Sequence, residues 1–232
     1  MLCCSTKGSG GSRIRRLEPR LAVLREWSHA YRRIADIGAH HGRLARALAQ
    51  DGKQVVATEI SSGGLHELAQ HLAGLQIDVR QGDGLEPVVD ESLDLVVIAG
   101  MGSDTVMEIL SQRHRMASRP HFALQPVQGL LAVHRTIAVE GWQILKAGLV
   151  TYRRRYYPMW LVNVYDAPIG KASDEALFLP REFRPSPHYR EWLTGEIGRR
   201  QVQRPTKRSQ QEMAWLTDEL TYIESHTGKR RY

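Results

Sequence analysis

The sequence predicts an α/β fold: a doubly wound, mostly parallel sheet that ends in an antiparallel pair and is followed by a small C-terminal helical hairpin. Three observations predict it. Short β-branched runs alternate with segments of helical period from about residue 34 to 140. Leu93 to Ala99 is almost continuous Leu, Val and Ile, as a parallel strand covered on both faces requires. Beyond Asp166 the strand pattern stops, and apolar residues recur only at helical spacing.

In chain order, residues 1–16 are Ser- and Gly-rich without periodicity at their start and read as a disordered or tag-like leader. Leu17, Leu21, Leu24 and Trp27 form an amphipathic helix with arginines on its other face, leading directly into a strand at Ile34 to Ile37. A glycine-bearing polar turn follows, then a helix from near Gly42 to Ala49 that Asp51-Gly52 stops. Gln54 to Ile60 is the second strand and Ser62 to Ala73 its helix. Ile77 to Arg80 is a short third strand running into Gln81-Gly82-Asp83-Gly84. After the strand Leu93 to Ala99, Gly100-Met101-Gly102 reads as a turn into a helix over Ser103 to Arg113. His121 to Leu124 is a strand, Leu130 to Glu140 a helix, and Trp142 to Val150 and Met159 to Tyr165 are two strands joined by the basic-aromatic segment Thr151 to Pro158. Pro180 to Pro187 marks a linker or cover. Helices from His188 to about Gln203 and from about Ser209 to Ser225 carry facing stripes, Tyr189, Trp192, Leu193 and Ile197 against Met213, Leu216, Leu220 and Ile223. The expected domains are therefore 17–167 and 168–232.

Composition narrows the class. No apolar run is long enough to cross a bilayer, and no secretory h-region is visible. Both cysteines, Cys3 and Cys4, are adjacent and outside any core, so neither a disulfide framework nor a metal-ligand set is evident, and a reducing cytoplasm is expected. No obligate protein partner or membrane association is evident. The net charge of +7 is uneven: residues 1–33 hold eight Lys/Arg against two acids, 34–167 hold twelve against fourteen, and 168–232 hold twelve against nine. A basic periphery around a near-neutral centre suits a polyanion, although an arginine-rich soluble protein has the same balance.

The candidate site lies where strands end. Asp36-x-Gly38 closes the first strand, with Gly38 allowing close approach of a ligand to the backbone and Asp36 placed to bond a ligand amine. Glu59, followed by Ile60, ends the second strand, the place at which an acid meets ribose hydroxyls in such sheets, and it reads equally as a solvated strand end. Asp83 between Gly82 and Gly84 ends the third strand and suits an adenine amino group. Three acidic strand ends favour S-adenosylmethionine, a cationic ligand without phosphates, over a phosphate-bearing cofactor. Ala99-Gly100-Met101-Gly102-Ser103 either faces a target base or forms a tight turn with Ser103 as N-cap. His40 and His41 read as target-side residues or as turn-capping histidines.

Four blocks together resemble the bacterial tRNA (adenine-22-N1)-methyltransferase family: Ile34 to Leu44, Gln81 to Leu85, Val97 to Gly102, and Leu124-Gln125-Pro126. The resemblance runs from about residue 17 to 225. It implies a Rossmann-like class I methyltransferase sheet and a helical, coiled-coil-like C-terminal domain that grips tRNA, with methyl transfer from S-adenosylmethionine to adenine N1 near the D-arm. In that frame Asp36, Gly38, Glu59, Ile60, Gly82, Asp83, Gly84, Ala99 and Gly100 bind cofactor, while His40, His41, Met101 and Gln125 border the target. The chain departs from the family at His40, where Asp is usual, at Arg43 for Tyr, Ala45 for Pro, Val127 for Asn, and Tyr157-Pro158 for Tyr-Glu. Those positions leave open a methyltransferase-like RNA-binding protein without turnover, or a different methyl acceptor. Thr151 to Tyr157 interleaves arginines with aromatics, a mixture suited to phosphate contact and base stacking. Arg199-Arg200 and Lys207-Arg208 flank the tip of the helical hairpin.

Overall fold

A computed structural model describes residues 17–166, 173–202 and 206–227. Its seven strands are β1 (Arg33–Ile37), β2 (Gln54–Glu59), β3 (Ile77–Gln81), β4 (Leu95–Met101), β5 (His121–Pro126), β6 (Gln143–Tyr152) and β7 (Arg155–Asn163), in the spatial order β3-β2-β1-β4-β5-β7-β6. β1 to β5 are mutually parallel, and β7 runs antiparallel between β5 and β6. The fold is the α/β class that the sequence predicts, with the antiparallel strand inserted inside the sheet rather than at its edge.

Helices cover both faces. On one side lie α1 (Pro19–Trp27), α2 (Arg43–Gln50) and α3 (Ser62–Leu72), which bury Leu24, Leu48 and Leu68 against Ile34, Val55 and Val97. On the other, α4 (Ser103–Ser111) and α5 (Leu130–Glu140) bury Val106, Leu110, Val133 and Ile137 against Ile98, Phe122 and Leu124. Each fully buried Leu, Ile or Val side chain contributes about 1.5–3 kcal/mol relative to exposure. This two-sided covering is why β4 reads as a continuous apolar run.

The C-terminal segment joins the second face. α6 (Asp174–Phe178) packs the partly buried Phe178 against the same apolar cluster as β5 and β7, to which α7 (Tyr189–Gln201) and α8 (Lys207–Thr227) contribute Tyr189, Trp192, Leu193, Leu216 and Ile223. Ion pairs Arg190–Glu224 and Arg200–Glu212 join opposite ends of α7 and α8, so the two are antiparallel. Glu182 fastens this segment to the sheet by accepting from Trp160 Nε1 at 2.8 Å and lying 2.8 Å from His134 Nδ1.

Several boundaries differ from the sequence expectation. A 3-10 turn at Ser28–Ala30 separates α1 from β1, and α4 gives way to another at Gln112–Arg115. Gly100 and Met101 are not a turn: β4 continues through them, with a bulge at Gly100 opposite β5. Thr151 to Pro158 is not a connecting segment either, because β6 and β7 run to Tyr152 and from Arg155, leaving Arg153-Arg154 as the turn. Cross-strand pairing of Tyr152 with Arg155 and Thr151 with Tyr156 overrides its loop-like composition. α6, which the sequence expectation lacks, precedes the proline-rich cover, and the cover itself holds a 3-10 turn at Arg181–Phe183. The leader, Cys3 and Cys4, the expected boundary at 167/168 and the helix end at Gln203 lie outside the described residues.

Candidate active site

The chain leaves β1 toward β2 on one side and enters β4 toward β5 on the other, so the carboxyl ends of β1 and β4 flank the topological switch point where such sheets bind ligands. A cavity of about 340 Å³ opens there, lined by Glu18, Arg20, Leu21, Asp36, Gly38, Ala39, His40, His41, Arg43, Leu44, Ala99, Gly100 and Met101. A larger depression of about 720 Å³ lies at the strands' amino ends, bordered by Arg33, Gln54, Asp78, Arg80 and Glu91. Its charges are paired, Arg33 with Glu91 and Arg80 with Asp78 and Glu91, and it sits at the wrong end of the sheet for a ligand of this fold.

Asp36 is 5 % exposed. Burial pushes its carboxyl up to about 7, against the backbone N–H of Ala45 and the positive charge of Arg20. A carboxylate so placed gains from a cationic neighbour, which restores the charge that burial disfavours. The turn after it is fixed by its backbone. Gly38 and Gly42 have φ of +65° and +64°, and His40, a non-glycine residue, has φ of +49°. The left-handed φ favours glycine at 38, and a β-carbon there would lie 2.2 Å from Met101 Cε, displacing the flexible end of that side chain. Gly38 N–H donates to Thr58 Oγ1 at 3.3 Å and Ala39 N–H to Thr58 O at 2.9 Å, tying the turn to the end of β2.

The second group of predicted residues sits at the ends of β2 and β3. Glu59 is part-buried and accepts from the N–H of the exposed Ile60 at 3.1 Å. Gly82 N–H donates to Glu59 O at 3.1 Å, joining the two strand ends. A side chain on Gly82 would strike Pro87, and one on Gly84 would strike Gln112, whose Oε1 accepts from Leu85 N–H at 2.8 Å. Asp83 is thereby presented on a rigid, exposed turn. The structure thus brings Asp36, Gly38, His40, His41, Ala99, Gly100 and Met101 around one cavity and sets Glu59, Ile60 and Gly82 to Gly84 beside it, linked through Thr58.

Gln125 does not face the cavity. It is fully buried at the position in β5 paired with Ala99, and it accepts from Arg20 Nη1 at 2.8 Å while donating to Pro126 O at 2.7 Å. Its influence reaches the cavity through Arg20, whose Nε also donates to Glu18 Oε2 at 3.0 Å and whose guanidinium lies 5.9 Å from the centre of the Tyr157 ring. Glu18 holds Arg43 as well, at 3.0 Å. Arg20, Glu18, Thr58 and Gln112 escaped the sequence reading. The arginines of α1 read as its solvent face, and the one legible signal was the charged pair Glu18 and Arg20 flanking the helix-starting Pro19.

A family of proteins described as methyltransferase domain matches residues 17–160, and the chain belongs to it. The tRNA (adenine(22)-N(1))-methyltransferase of Bacillus subtilis is 32% identical over 126 residues, spanning 51% of this chain and 52% of that protein. The crystal structure of B. subtilis TrmK, named as an m1A22 tRNA methyltransferase, superposes with a TM-score of 0.71 at 21% identity, covering 90% of this chain and 98% of that one. TrmK of M. capricolum, solved with the cofactor product S-adenosyl-homocysteine, gives a TM-score of 0.71 at 21% identity over 93% and 99% of the two chains. These likenesses establish the fold through the C-terminal helices. No helix among the described residues is long and apolar enough to cross a membrane.

Proposed function

We propose that the chain transfers a methyl group from S-adenosylmethionine to N1 of an adenine near the D-arm of tRNA, in the cytoplasm. The observation that carries this reading is the crevice between β1 and β4, where the buried Asp36 and the side-chain-free Gly38 face the bulge at Gly100 and Met101. The residues present fit the cofactor: Asp36 for its cationic amine, Gly38 for close backbone approach, Glu59 for ribose hydroxyls, and Ile60 with the Gly82-Asp83-Gly84 turn for adenine. When bound, S-adenosylmethionine supplies an electrophilic methyl on a sulfonium.

Adenine N1 carries a lone pair at neutral pH, so the chain's task is alignment and exclusion of water more than proton removal. Met101 offers a polarisable apolar surface against the target base. His40, exposed at the cavity wall, would accept from the adenine amino group. Gln125 is a positioning residue that holds Arg20 at the cavity wall. RNA contact falls to the β6–β7 hairpin, where Arg153, Arg154 and Arg155 are exposed beside Tyr152 and Tyr156. The α7–α8 tip is less available, since Arg199 and Arg200 pair with Glu196 and Arg208 with Glu212. The B. subtilis relative's named activity supports the choice of base and atom.

The test is transfer of labelled methyl into unmodified tRNA, with the site mapped by reverse transcription, which an N1-methyl group arrests by blocking base pairing. One arrest site at a D-arm adenine is expected. Bound cofactor and tRNA without label would instead indicate an RNA-binding protein without turnover, and label without arrest a different acceptor.

A further inference from the structure

The turn between β1 and α2 carries a second constellation, of which only His41 also lines the cavity. Ligand-competent atoms of His41, Glu67 and His71 all lie within 4.8 Å of one another. Glu67 and His71 are four residues apart on α3 and project from one face of it. The turn is held against that helix by packing: a β-carbon on Gly42 would come within 2.7 Å of Leu72 and 2.9 Å of Leu68. This packing sets the turn beside α3, within side-chain reach of Glu67 and His71.

His41 Nδ1 is shielded from solvent and makes no hydrogen bond. Glu67 Oε1 is 3.1 Å from it, close enough for an ion pair yet without hydrogen-bond geometry. An unpartnered imidazole nitrogen, a carboxylate oxygen and a second imidazole within 4.8 Å of one another supply the donor types of a two-histidine, one-carboxylate metal site. The His71 ring stands edge-on to His41 at 5.4 Å and 72°, and the His40 ring lies over His41 at 3.9 Å.

We propose that His41, Glu67 and His71 bind a divalent late first-row cation, with zinc the best match to two imidazoles and one carboxylate, leaving a coordination position for water. The ion ties the β1–α2 turn to α3, and through the His40–His41 ring contact it fixes the side chain at the mouth of the cavity. The site stands on its own geometry and does not rest on the methyl-transfer reading.

Zinc chloride titrated calorimetrically into the untagged full chain, with Cys3→Ser and Cys4→Ser to remove competing thiols, is expected to fill one site. His71→Ala and Glu67→Gln are each expected to raise Kd at least about tenfold, the loss that even an outer-shell partner's removal brings. Both residues are exposed, so metal-free melting should be unchanged and a folding defect is separable from a binding one. Cobalt(II) should give visible absorption bands in the parent that vanish in His71→Ala. No saturable zinc binding by the parent, or binding equal in parent and both variants, overturns the proposal.

Discussion

Arg20 Nη1 donates to Gln125 Oε1 at 2.8 Å, joining the first helix to the fifth strand across 105 residues of sequence. The acceptor is fully buried and the donor borders the cavity, so the bond transmits the position of β5 to the site wall. Arg20→Ala leaves a buried amide oxygen unpaired, at a cost of about 1–3 kcal/mol. Arg20→Ala/Gln125→Leu, which removes both partners, should be less destabilised than the sum of the single variants. Urea unfolding of the four proteins checks this; strict additivity would mean the bond carries no coupling.

Asp36 sets a pH dependence. Its folded pKa, about 7, lies above that of an unfolded aspartate, so the stability linked to its proton is full in acid and lost as pH rises to about 7. Asp36→Asn, which stays neutral, should therefore gain on the wild type between mildly acidic and neutral pH and keep that advantage above it, by an amount of the order of a few kcal/mol. A cationic ligand should release a proton from Asp36 near pH 6–7, visible as a buffer-dependent binding enthalpy. Equal enthalpies in buffers of different ionisation heat would count against this role.

Gly38 tests the crowding of the turn. Alanine there meets both a φ of +65° and a contact of 2.2 Å with Met101 Cε. Gly38→Ala should weaken cofactor binding, and adding Met101→Ala should restore it only partly, since the left-handed backbone still costs about 1–2 kcal/mol. Full restoration would assign the whole effect to Met101.

The β6–β7 turn is built against local preference. Arg153 and Arg154 have φ of +49° and +63°, the two left-handed positions that a two-residue hairpin usually fills with Asn-Gly. Replacing the pair by Asn-Gly should raise the melting temperature while weakening tRNA binding and lowering the salt slope by about 0.7–0.9 per lost phosphate contact. An unchanged salt slope would remove this hairpin from the RNA interface.

The C-terminal helices depend on one acid. Glu219, 2 % exposed, accepts from Arg184 Nε and Nη2 at 2.6 Å each and from Arg181 Nε at 3.1 Å. Burial pushes its carboxyl up, but hydrogen bonds from Arg184 and Arg181 outweigh this and hold it below its ordinary value. Its stabilisation is thus present at neutral pH and lost as pH falls through the folded pKa. Glu219→Ala should cost about 1–3 kcal/mol, because it leaves the partly exposed Arg184 without its carboxylate while Arg181 keeps Glu175. Chemical unfolding would read the loss, and a cost below 1 kcal/mol would contradict it.

The sequence carried the parallel core and both helical faces because buried strands and amphipathic helices leave period-specific traces, as at Leu95–Ile98 and at Leu44 and Leu48. It could not place β7 between β5 and β6, since strand order across a hairpin leaves no trace in periodicity. At the site, Asp36-x-Gly38 was legible because a strand end, an acid and a glycine fall within three residues. Arg20 was not, because its role depends on a partner 105 residues away. Gln125 reads as a target-side residue in the linear motif, and the fold buries it behind Arg20, a neighbour the motif does not reveal. Glu219 sits among the apolar positions of α8, where only the two arginines of the preceding segment explain an acid.

The most direct measurement is single-turnover methyl transfer to two tRNA transcripts that differ only at the mapped adenine, one with adenosine and one with 1-deazaadenosine, which has carbon in place of N1. Full labelling of the first and none of the second is predicted. Equal labelling of both would contradict attack by N1 and with it the proposed role of the crevice between β1 and β4.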